Sequence, residues 1–221
     1  MDGRRDIGRV AEVLAELQAD IIGLQEVDSR PSRSALPQAV ELARRLGCEL
    51  VEGPLLLEGD GHYGNALLSR WPVRALRREA LPYRRGEPRG FIHAATTAPG
   101  GTEWHVFVSH LSLGTLSRRH QLATIAAEMA AAPAPAVLLA DLNEWNGWAR
   151  GLLGLGRAAT LLRSPASFPS RRPMLRLDRI AVRGCVISRD AWVHRSPLAA
   201  VASDHLPVLA ELSALADRQD R

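Results

Sequence analysis

Four separated segments of the chain place a carboxylate, an amide or a histidine beside a predicted strand. Three apolar runs lead directly into polar residues, and a further polar pair stands just ahead of the last apolar run. The groups so placed are Glu26, His110, Asp141 with Asn143, and Asp204 with His205. One such residue is most often a helix cap or a turn residue. Four together favour a shared site, because α/β folds usually build their sites at strand ends.

The carboxylates in this set suit a hard divalent cation. Glu26 and Asp204 offer oxygen ligands for Mg²⁺ or Mn²⁺, and the sequence holds no Cys/His cluster with zinc spacing. Asp141 and Asn143 are two residues apart on an extended segment, so their side chains point the same way and can address one substrate. The set therefore predicts a magnesium or manganese site next to a substrate-binding pair.

The histidines divide into two groups. His110 and His205 belong to the strand-end set, where they can transfer protons or contact phosphate, because the ordinary pKa of histidine, about 6.5, lets small shifts select either protonation state. The others have no motif around them and are predicted to be surface or strand residues; they are His62, His93, His105, His120 and His194.

Apolar spacing predicts alternating helices and strands that would position these groups. Helices are predicted over 6–19, 37–46 and 117–132, with Gly47 ending the second and Ser117 as the N-cap of the third. Strands are predicted over 21–24, 65–69, 91–96, 104–109, 136–140, 177–182 and 207–212, with a Ser/Pro/Arg-rich loop over 164–176. This alternation indicates a layered α/β domain.

The composition indicates a single domain spanning residues 1–221. The chain is 46% apolar and 24% charged, which is enough for one substantial core, and its two cysteines are too few for a disulfide scaffold. The longest apolar stretch, 122–140, contains Glu128 and two prolines, so no transmembrane segment is predicted. The start lacks the apolar region of an export signal, so the expectation for the chain as given is a cytoplasmic monomer.

All 28 basic residues are arginine, and the formal net charge is +4. Arginine binds phosphate through a planar fork of donors, which points to a phosphorylated substrate. A coding bias towards GC-rich codons gives the same composition, so charge alone leaves both interpretations open. Arg89 is a candidate phosphate contact, whereas Arg118 and Arg119 are expected to form a solvated first helical turn.

Six short motifs occur in order along nearly the whole chain. They are Leu24-Gln25-Glu26-Val27, Gly64-Asn65-Ala66-Leu67-Leu68-Ser69-Arg70, Ser109-His110-Leu111, Ala140-Asp141-Leu142-Asn143, Leu177-Asp178-Arg179-Ile180 and Ser203-Asp204-His205-Leu206-Pro207. Each motif alone is weak, but the ordered set is specific, and it resembles the endonuclease/exonuclease/phosphatase superfamily of metal-dependent hydrolases. The resemblance implies a four-layer α/β/β/α sandwich like that of deoxyribonuclease I, in which two mixed sheets pack face to face between outer helices.

The resemblance also implies which residues bind the metal and activate the attacking water. Glu26 matches the principal metal ligand, and Asp204 a second ligand or a holder of metal-bound water. Asp141 matches the residue that orients or deprotonates the attacking water, and Asn143 one that contacts this water and the scissile phosphate. The implied cofactor is Mg²⁺ or Mn²⁺.

The remaining matches concern proton transfer and phosphate binding. His205, paired with Asp178, resembles the general base or the transition-state stabiliser of the family, two roles that the sequence does not separate. His110 matches a donor to a phosphate oxygen or to the leaving group. Asn65 is expected to fix the geometry on the substrate-binding side, and Arg89 to reach the phosphate.

One departure from the family pattern leaves two hypotheses open. Family members begin with a strand that ends in asparagine, whereas residues 1–6 resemble the loop after that strand, and its absence would expose sheet edges. The first hypothesis is a phosphoesterase acting on nucleic acid, a phospholipid headgroup or a soluble phosphoester. The second is a truncated or catalytically silent relative that keeps the fold and binds phosphate. Trp145 and Trp148 are expected to pack the loop after Asn143, or to form a rim for a base or lipid.

Overall fold

The computed structural model describes residues 6–33, 36–81, 86–145 and 150–215. The helices in these ranges are α1 Ile7–Leu17, α2 Gln38–Leu46, α3 Thr115–Ala131, α4 Arg150–Ala158 and α5 Ala199–Ala202. The strands are β1 Ile21–Asp28, β2 Glu49–Glu58, β3 Gly61–Ser69, β4 Val73–Leu81, β5 Arg89–Thr97, β6 Glu103–His110, β7 Ala136–Asp141, β8 Thr160–Leu161, β9 Asp178–Arg183, β10 Cys185–Val193 and β11 Val208–Ala214. None of the described helices is long and apolar enough to cross a membrane.

The three helices predicted from apolar spacing are present, with one shifted start. Helix α1 begins after Asp6, whose carboxylate accepts hydrogen bonds from two backbone amides of the first turn. Helix α2 ends at Gly47, which adopts the left-handed conformation that favours glycine, as predicted. The predicted N-cap of α3 was wrong: the helix begins at Thr115 after Gly114, so Ser117 lies inside it and is buried.

A six-stranded mixed sheet forms the centre of the molecule. Its strand order is β4-β5-β6-β7-β9-β8. Strands β6 and β7 are parallel, and the other neighbouring pairs are antiparallel. Because side chains alternate along a strand, Phe107 and Leu138 pack against α3 on one face, while Val106 and Val108 face the second β layer. The sheet is therefore buried on both faces.

The second β layer is packed between the central sheet and helices α1 and α2. It consists of a three-stranded sheet, β1-β3-β2, and a two-stranded sheet, β10-β11. Val51 and Leu67 of the three-stranded sheet pack towards the central sheet, and Leu68 packs on the other side with Leu14 of α1 and Leu42 of α2. These contacts confirm the four-layer α/β/β/α sandwich.

A groove of about 1030 Å³ separates the two parts of this layer. Residues of β1 line one side and residues of β11 the other, with α1 above them and Leu139 of the central sheet below. Helix α1 is the first element that the structure describes. The groove opens at one end onto Glu26 and His205, so it runs to the edge of the fold that carries the candidate site.

Candidate active site

Three neighbouring strands of the central sheet place polar side chains at one edge. Parallel pairing of β6 and β7 sets His110 opposite Asp141, and antiparallel pairing of β7 and β9 sets Asp141 opposite Asp178. The two pairings bring together groups that are far apart in the sequence, because the end of β7 meets the end of β6 and the start of β9. Asp141 therefore lies between His110 and Asp178.

Glu26 reaches this edge from the second β layer through an irregularity in β1. The register between β1 and β3 shifts between Leu24 and Val27, and Glu26 within this bulge has a φ of 58°. A left-handed backbone is uncommon for a residue other than glycine and persists where the surrounding structure holds it. The Glu26 side chain is 59% exposed, and its Oε1 lies 3.7 Å from Nδ1 of His110.

Asn143 joins the ends of β6 and β7 by three hydrogen bonds. Its backbone N–H donates to Oδ1 of Asp141 at 2.8 Å, and its side-chain Nδ2 donates to the Leu111 carbonyl and to Nε2 of His110, both at 2.9 Å. Because Nε2 accepts this bond, the ring proton of a neutral His110 lies on Nδ1, which faces Glu26. Burial lowers the pKa of His110 to about 3, with the charges of Arg89 and His205 acting in the same direction. The imidazole is therefore neutral at pH 7.

His205 is held by a carboxylate and an aromatic ring. Its Nδ1 lies 2.8 Å from Oδ2 of Asp178. The same Oδ2 also accepts a short hydrogen bond from the Ser167 hydroxyl. The ring of Phe168 contacts the imidazole, with 4.8 Å between the ring centroids. Asp178 thereby fixes which nitrogen of His205 faces away, namely Nε2.

The charges around His205 favour its protonated form. Burial by itself lowers the pKa of His205, but the hydrogen bond and charge of Asp178, with smaller contributions from Asp141 and Asp204, outweigh burial and raise the pKa to about 9. Nε2 of His205 lies 3.9 Å from Oδ2 of Asp141. Burial and the nearby charge of Asp178 raise the pKa of Asp141 to about 6. At pH 7 the site thus pairs an imidazolium with two carboxylates.

Two subsets of these residues have the chemistry to hold a divalent cation. Ligand atoms of Asp141, Asp178 and His205 all lie within 4.8 Å of one another, but Asp178 and His205 are already hydrogen-bonded to each other. Glu26 and Asp204 are exposed carboxylates, and both line the cavity at the site. Exposed hard oxygen donors fit Mg²⁺ or Mn²⁺ better than a protonated imidazole does.

The two residues predicted on the substrate side are both buried. Asn65 donates from Nδ2 to the Gly90 carbonyl at 3.0 Å, a bond that ties β3 to β5. Arg89 donates from Nη1 to Glu87 at 2.9 Å, while its buried Nε has no hydrogen-bond partner within the described residues. Asn65 thus stabilises the layer packing, and Arg89 keeps an unused donor close to His110.

The structure contradicts the prediction for Arg118 and tests the prediction for one of the two tryptophans. Arg118 is not solvated: it is buried and pairs with Glu144, whereas Arg119 is exposed as predicted. Trp145 is exposed, so the prediction that it packs the loop after Asn143 is wrong, and Trp148 lies outside the described residues. The solvated-turn interpretation fails for Arg118 because the helix begins early enough to turn this side chain towards the loop after β7.

Three residues at the site were not predicted from the sequence. Ser167 and Phe168 contact Asp178 and His205 from the 164–176 loop, and no local pattern distinguishes them there. Tyr63 is buried beside Glu26, and burial together with that negative charge raises its pKa. The sequence did indicate the position of Tyr63, because it lies two residues before Asn65 on β3 and both side chains are therefore on the same face of the strand.

Comparisons with known proteins show the family of the chain. A family model described as the Endonuclease/Exonuclease/phosphatase family matches residues 2–205. A curated relative, an uncharacterized protein from Escherichia coli K12 called YbhP, is 30% identical over 226 residues, which covers 91% of this chain and 86% of the relative.

Two solved structures show the same fold at low sequence identity. An endonuclease/exonuclease/phosphatase from Beutenbergia cavernae superposes with a TM-score of 0.74 at 20% identity, covering 96% of this chain and 67% of that one. A mannosyl-6-phosphatase from Bacteroides thetaiotaomicron superposes with a TM-score of 0.72 at 18% identity, covering 95% of this chain and 91% of that one.

Proposed function

Because the chain belongs to the Endonuclease/Exonuclease/phosphatase family, we propose that it is a divalent-metal-dependent phosphoesterase that hydrolyses its substrate by attack of water on phosphorus. The observation that carries the proposal is the Asp178–His205 pair, with 2.8 Å between Oδ2 and Nδ1, placed beside the buried Asp141. A site that served only to bind phosphate would gain from the cation of His205 but not from two carboxylates next to it. Water activation needs such a carboxylate.

Glu26 and Asp204 would hold Mg²⁺ or Mn²⁺ at the open end of the site. When bound, the ion would neutralise charge on the phosphate and make water easier to deprotonate. The left-handed backbone of Glu26 aims its carboxylate at the edge where His110 lies, 3.7 Å away. The exposed position of both carboxylates leaves their oxygens available to a ligand.

Asp141 would accept a proton from water, and His205 would stabilise the negative charge that develops on the phosphate. The pKa of Asp141, about 6, makes it a carboxylate at pH 7 that can accept a proton from water at Oδ2. The pKa of His205, about 9, keeps its imidazole protonated, so Nε2 can donate to a phosphate oxygen as negative charge develops. Of the family roles for His205, these charges favour the transition-state stabiliser.

His110 and Arg89 would position the phosphate, and Asn143 would hold His110 in place. Both hydrogens of the Asn143 amide are used, on His110 Nε2 and on the Leu111 carbonyl, each at 2.9 Å, so the free ring donor of a neutral His110 is Nδ1–H. Arg89 is buried, and its charge acts on His110, so it would contribute positive charge beside the phosphate. This arrangement serves a phosphodiester and a phosphomonoester equally well.

The second candidate function is a silent relative that keeps the fold and binds phosphate. The observation in its favour is the groove of about 1030 Å³ that divides the second β layer and opens at the site. An open layer beside Glu26 would loosen the metal ligand without removing the phosphate donors. The two candidates therefore differ in metal-dependent turnover and not in phosphate affinity.

A metal-dependent activity panel separates them. We expect the purified chain to hydrolyse at least one of plasmid DNA, RNA, sphingomyelin and inositol phosphates with Mg²⁺ or Mn²⁺. EDTA should abolish the activity without unfolding the protein, because all the proposed ligands are side chains of an already packed fold. Thermal unfolding followed by circular dichroism provides the control. Phosphate binding without turnover on any substrate would favour the silent relative, and cooperative unfolding in EDTA would refute the metal assignment.

A further inference from the structure

A buried ion pair joins α3 to the loop that follows β7. Nε of Arg118 donates to Oε2 of Glu144 at 2.9 Å, and each residue is 6% exposed. Taking two charges out of water costs free energy that their attraction often fails to repay, so a buried pair is weak evidence for a stabilising role. Its position one residue after Asn143 points to a different role.

The same arginine also binds the loop that follows β6. Nη1 of Arg118 donates to the carbonyls of Leu113 at 2.6 Å and Ser112 at 3.2 Å. One turn along α3, Gln121 accepts from the backbone N–H of Ser112 and donates to its hydroxyl, both at 2.9 Å. Helix α3 therefore contacts both the loop after β6 and the loop after β7, and the Arg118 side chain binds both.

These two loops carry the His110–Asn143 contact. Asn143 has a φ of 49°, a left-handed conformation that asparagine adopts more readily than most residues with side chains. From this backbone conformation its amide reaches His110 Nε2 and the Leu111 carbonyl. Anchoring Glu144 fixes the chain immediately after this left-handed residue.

We infer that Arg118 and Glu144 are a positioning pair, which holds Asn143 in its left-handed conformation and so keeps the Asn143 amide on His110. Neither residue contacts the reacting atoms. The consequence for catalysis rests on the proposed phosphoesterase function, whereas the consequence for Asn143 does not. The pair sets the distance between groups on β6 and β7, and a misplacement of about 1 Å in such groups costs on the order of 10²-fold in rate.

The test replaces the pair with apolar residues of similar size. Either single change breaks the buried ion pair while keeping one of its two charges, which lowers stability, so the informative variant is the double change Arg118→Met with Glu144→Leu. We expect it to stay folded with a lowered thermal midpoint, because methionine cannot donate to the Ser112 and Leu113 carbonyls and the buried Arg179 loses the nearby charge of Glu144. At a temperature where it is folded, it should lose roughly 10- to 100-fold in kcat towards bis(p-nitrophenyl) phosphate with Mn²⁺ and keep KM within about a factor of two. Arg119→Met, which changes the exposed neighbour, is the matched control and should keep all three values.

Hydrogen exchange at Asn143 provides a readout that does not require turnover. The backbone N–H of Asn143 donates to Asp141 Oδ1 at 2.8 Å and should be protected in the wild type and in Arg119→Met. In the double variant this protection should be lost while the amides of β6 stay protected. Wild-type protection of Asn143 in the double variant overturns the positioning role, and an unchanged kcat overturns its catalytic consequence. If the wild type hydrolyses no phosphoester, the proposed function fails, and the exchange result still decides whether the pair positions Asn143.

Discussion

Asp178→Asn is expected to lower kcat by about 10²- to 10⁴-fold with little change in KM, the range that a positioned acid or base contributes. Asparagine keeps the shape of the side chain and an oxygen that accepts from Nδ1 of His205, but it removes the negative charge. That charge and its hydrogen bond are what raise the pKa of His205 to about 9 against the opposing effect of burial. Without that charge the pKa of His205 falls, so a smaller fraction of the imidazole offers Nε2–H to the transition state at pH 7.

The dependence of kcat/KM on pH shows in which direction Asp178→Asn shifts the pKa values of His205 and Asp141. In the wild type, kcat/KM should rise as Asp141 ionises through about pH 6 and fall as His205 loses its proton through about pH 9. Asp178→Asn should move the alkaline limb to lower pH, because the neutral amide no longer favours the imidazolium. It should also move the acid limb to lower pH, because the charge of Asp178 contributes to the raised pKa of Asp141.

Stability should change little in this variant, because two effects oppose each other. The raised pKa of His205 contributes stability that is fully present below about pH 6.5 and is lost as the pH rises through about 9. Removing Asp178 removes that contribution, but it also relieves the repulsion between Asp178 and Asp141. Asp190→Asn, an exposed acid on β10, is the control and should keep wild-type kinetics. Near-normal kcat for Asp178→Asn beside an inactive Asp141→Asn would contradict the pairing.

Glu26→Gln is expected to remove at least about 10³-fold from kcat/KM at fixed metal concentration, because a bound cation contributes several kcal/mol of charge stabilisation and each 1.36 kcal/mol is about tenfold in rate. Glutamine is isosteric but is a much weaker ligand for a hard cation. The apparent metal affinity, measured from the dependence of rate on Mn²⁺, should fall in parallel. Raising the metal concentration should therefore restore part of the lost rate.

The control for this variant is Glu49→Gln, which removes an exposed carboxylate from β2. It should leave rate and metal dependence unchanged. Thermal unfolding of Glu26→Gln should match the wild type, because its side chain is mostly exposed and the neutral amide fits the same backbone bulge. Wild-type metal dependence in Glu26→Gln would show that Glu26 is not the metal ligand, and would favour Asp141 and Asp178 as the ligands instead.

The position of several site residues at one edge of the central sheet could be predicted from the sequence, because His110, Asp141 and Asp178 stand at the ends of apolar runs, whereas Glu26 lies at a bulge within β1. His110 and Asp141 end apolar runs that become β6 and β7, and parallel pairing places such ends side by side. The charges could not be predicted in the same way. The raised pKa of His205 depends on an Asp178 carboxylate 27 positions earlier in the sequence, and only the folded chain brings the two within 2.8 Å.

The strands that the sequence did not predict lack an apolar pattern. Strand β4 is an exposed, arginine-rich edge strand, held by backbone pairing to β5 that no side-chain periodicity records. Strand β2 contains Pro54, which argues against a strand, and the structure accommodates it at a register shift next to that residue. Helix α4 carries three glycines in its nine residues, which weakens its helical signal.

Arg118 illustrates the limit of local patterns most directly. Two adjacent arginines near a helix start indicate a solvated turn, and Arg119 is indeed exposed. The partner of Arg118 is Glu144, 26 residues away in the sequence and beyond β7, so the burial of one arginine and not the other follows from tertiary packing alone. The same holds for Ser167 and Phe168, whose contacts with Asp178 and His205 depend on the path of the 164–176 loop.

The location of a bound Mn²⁺ ion is the most direct test of how this site works. In crystals soaked with Mn²⁺ and inorganic phosphate, the anomalous signal should lie about 2.1 to 2.2 Å from a carboxylate oxygen of Glu26. The phosphate should lie within hydrogen-bond distance of His205 Nε2, and the Asp178–His205 and Asn143–His110 hydrogen bonds should remain intact. A signal at the Asp141–Asp178–His205 cluster with that hydrogen bond broken, or no signal at this edge of the sheet, would contradict the assignment of Glu26 as the metal ligand and of His205 as a protonated group facing the phosphate.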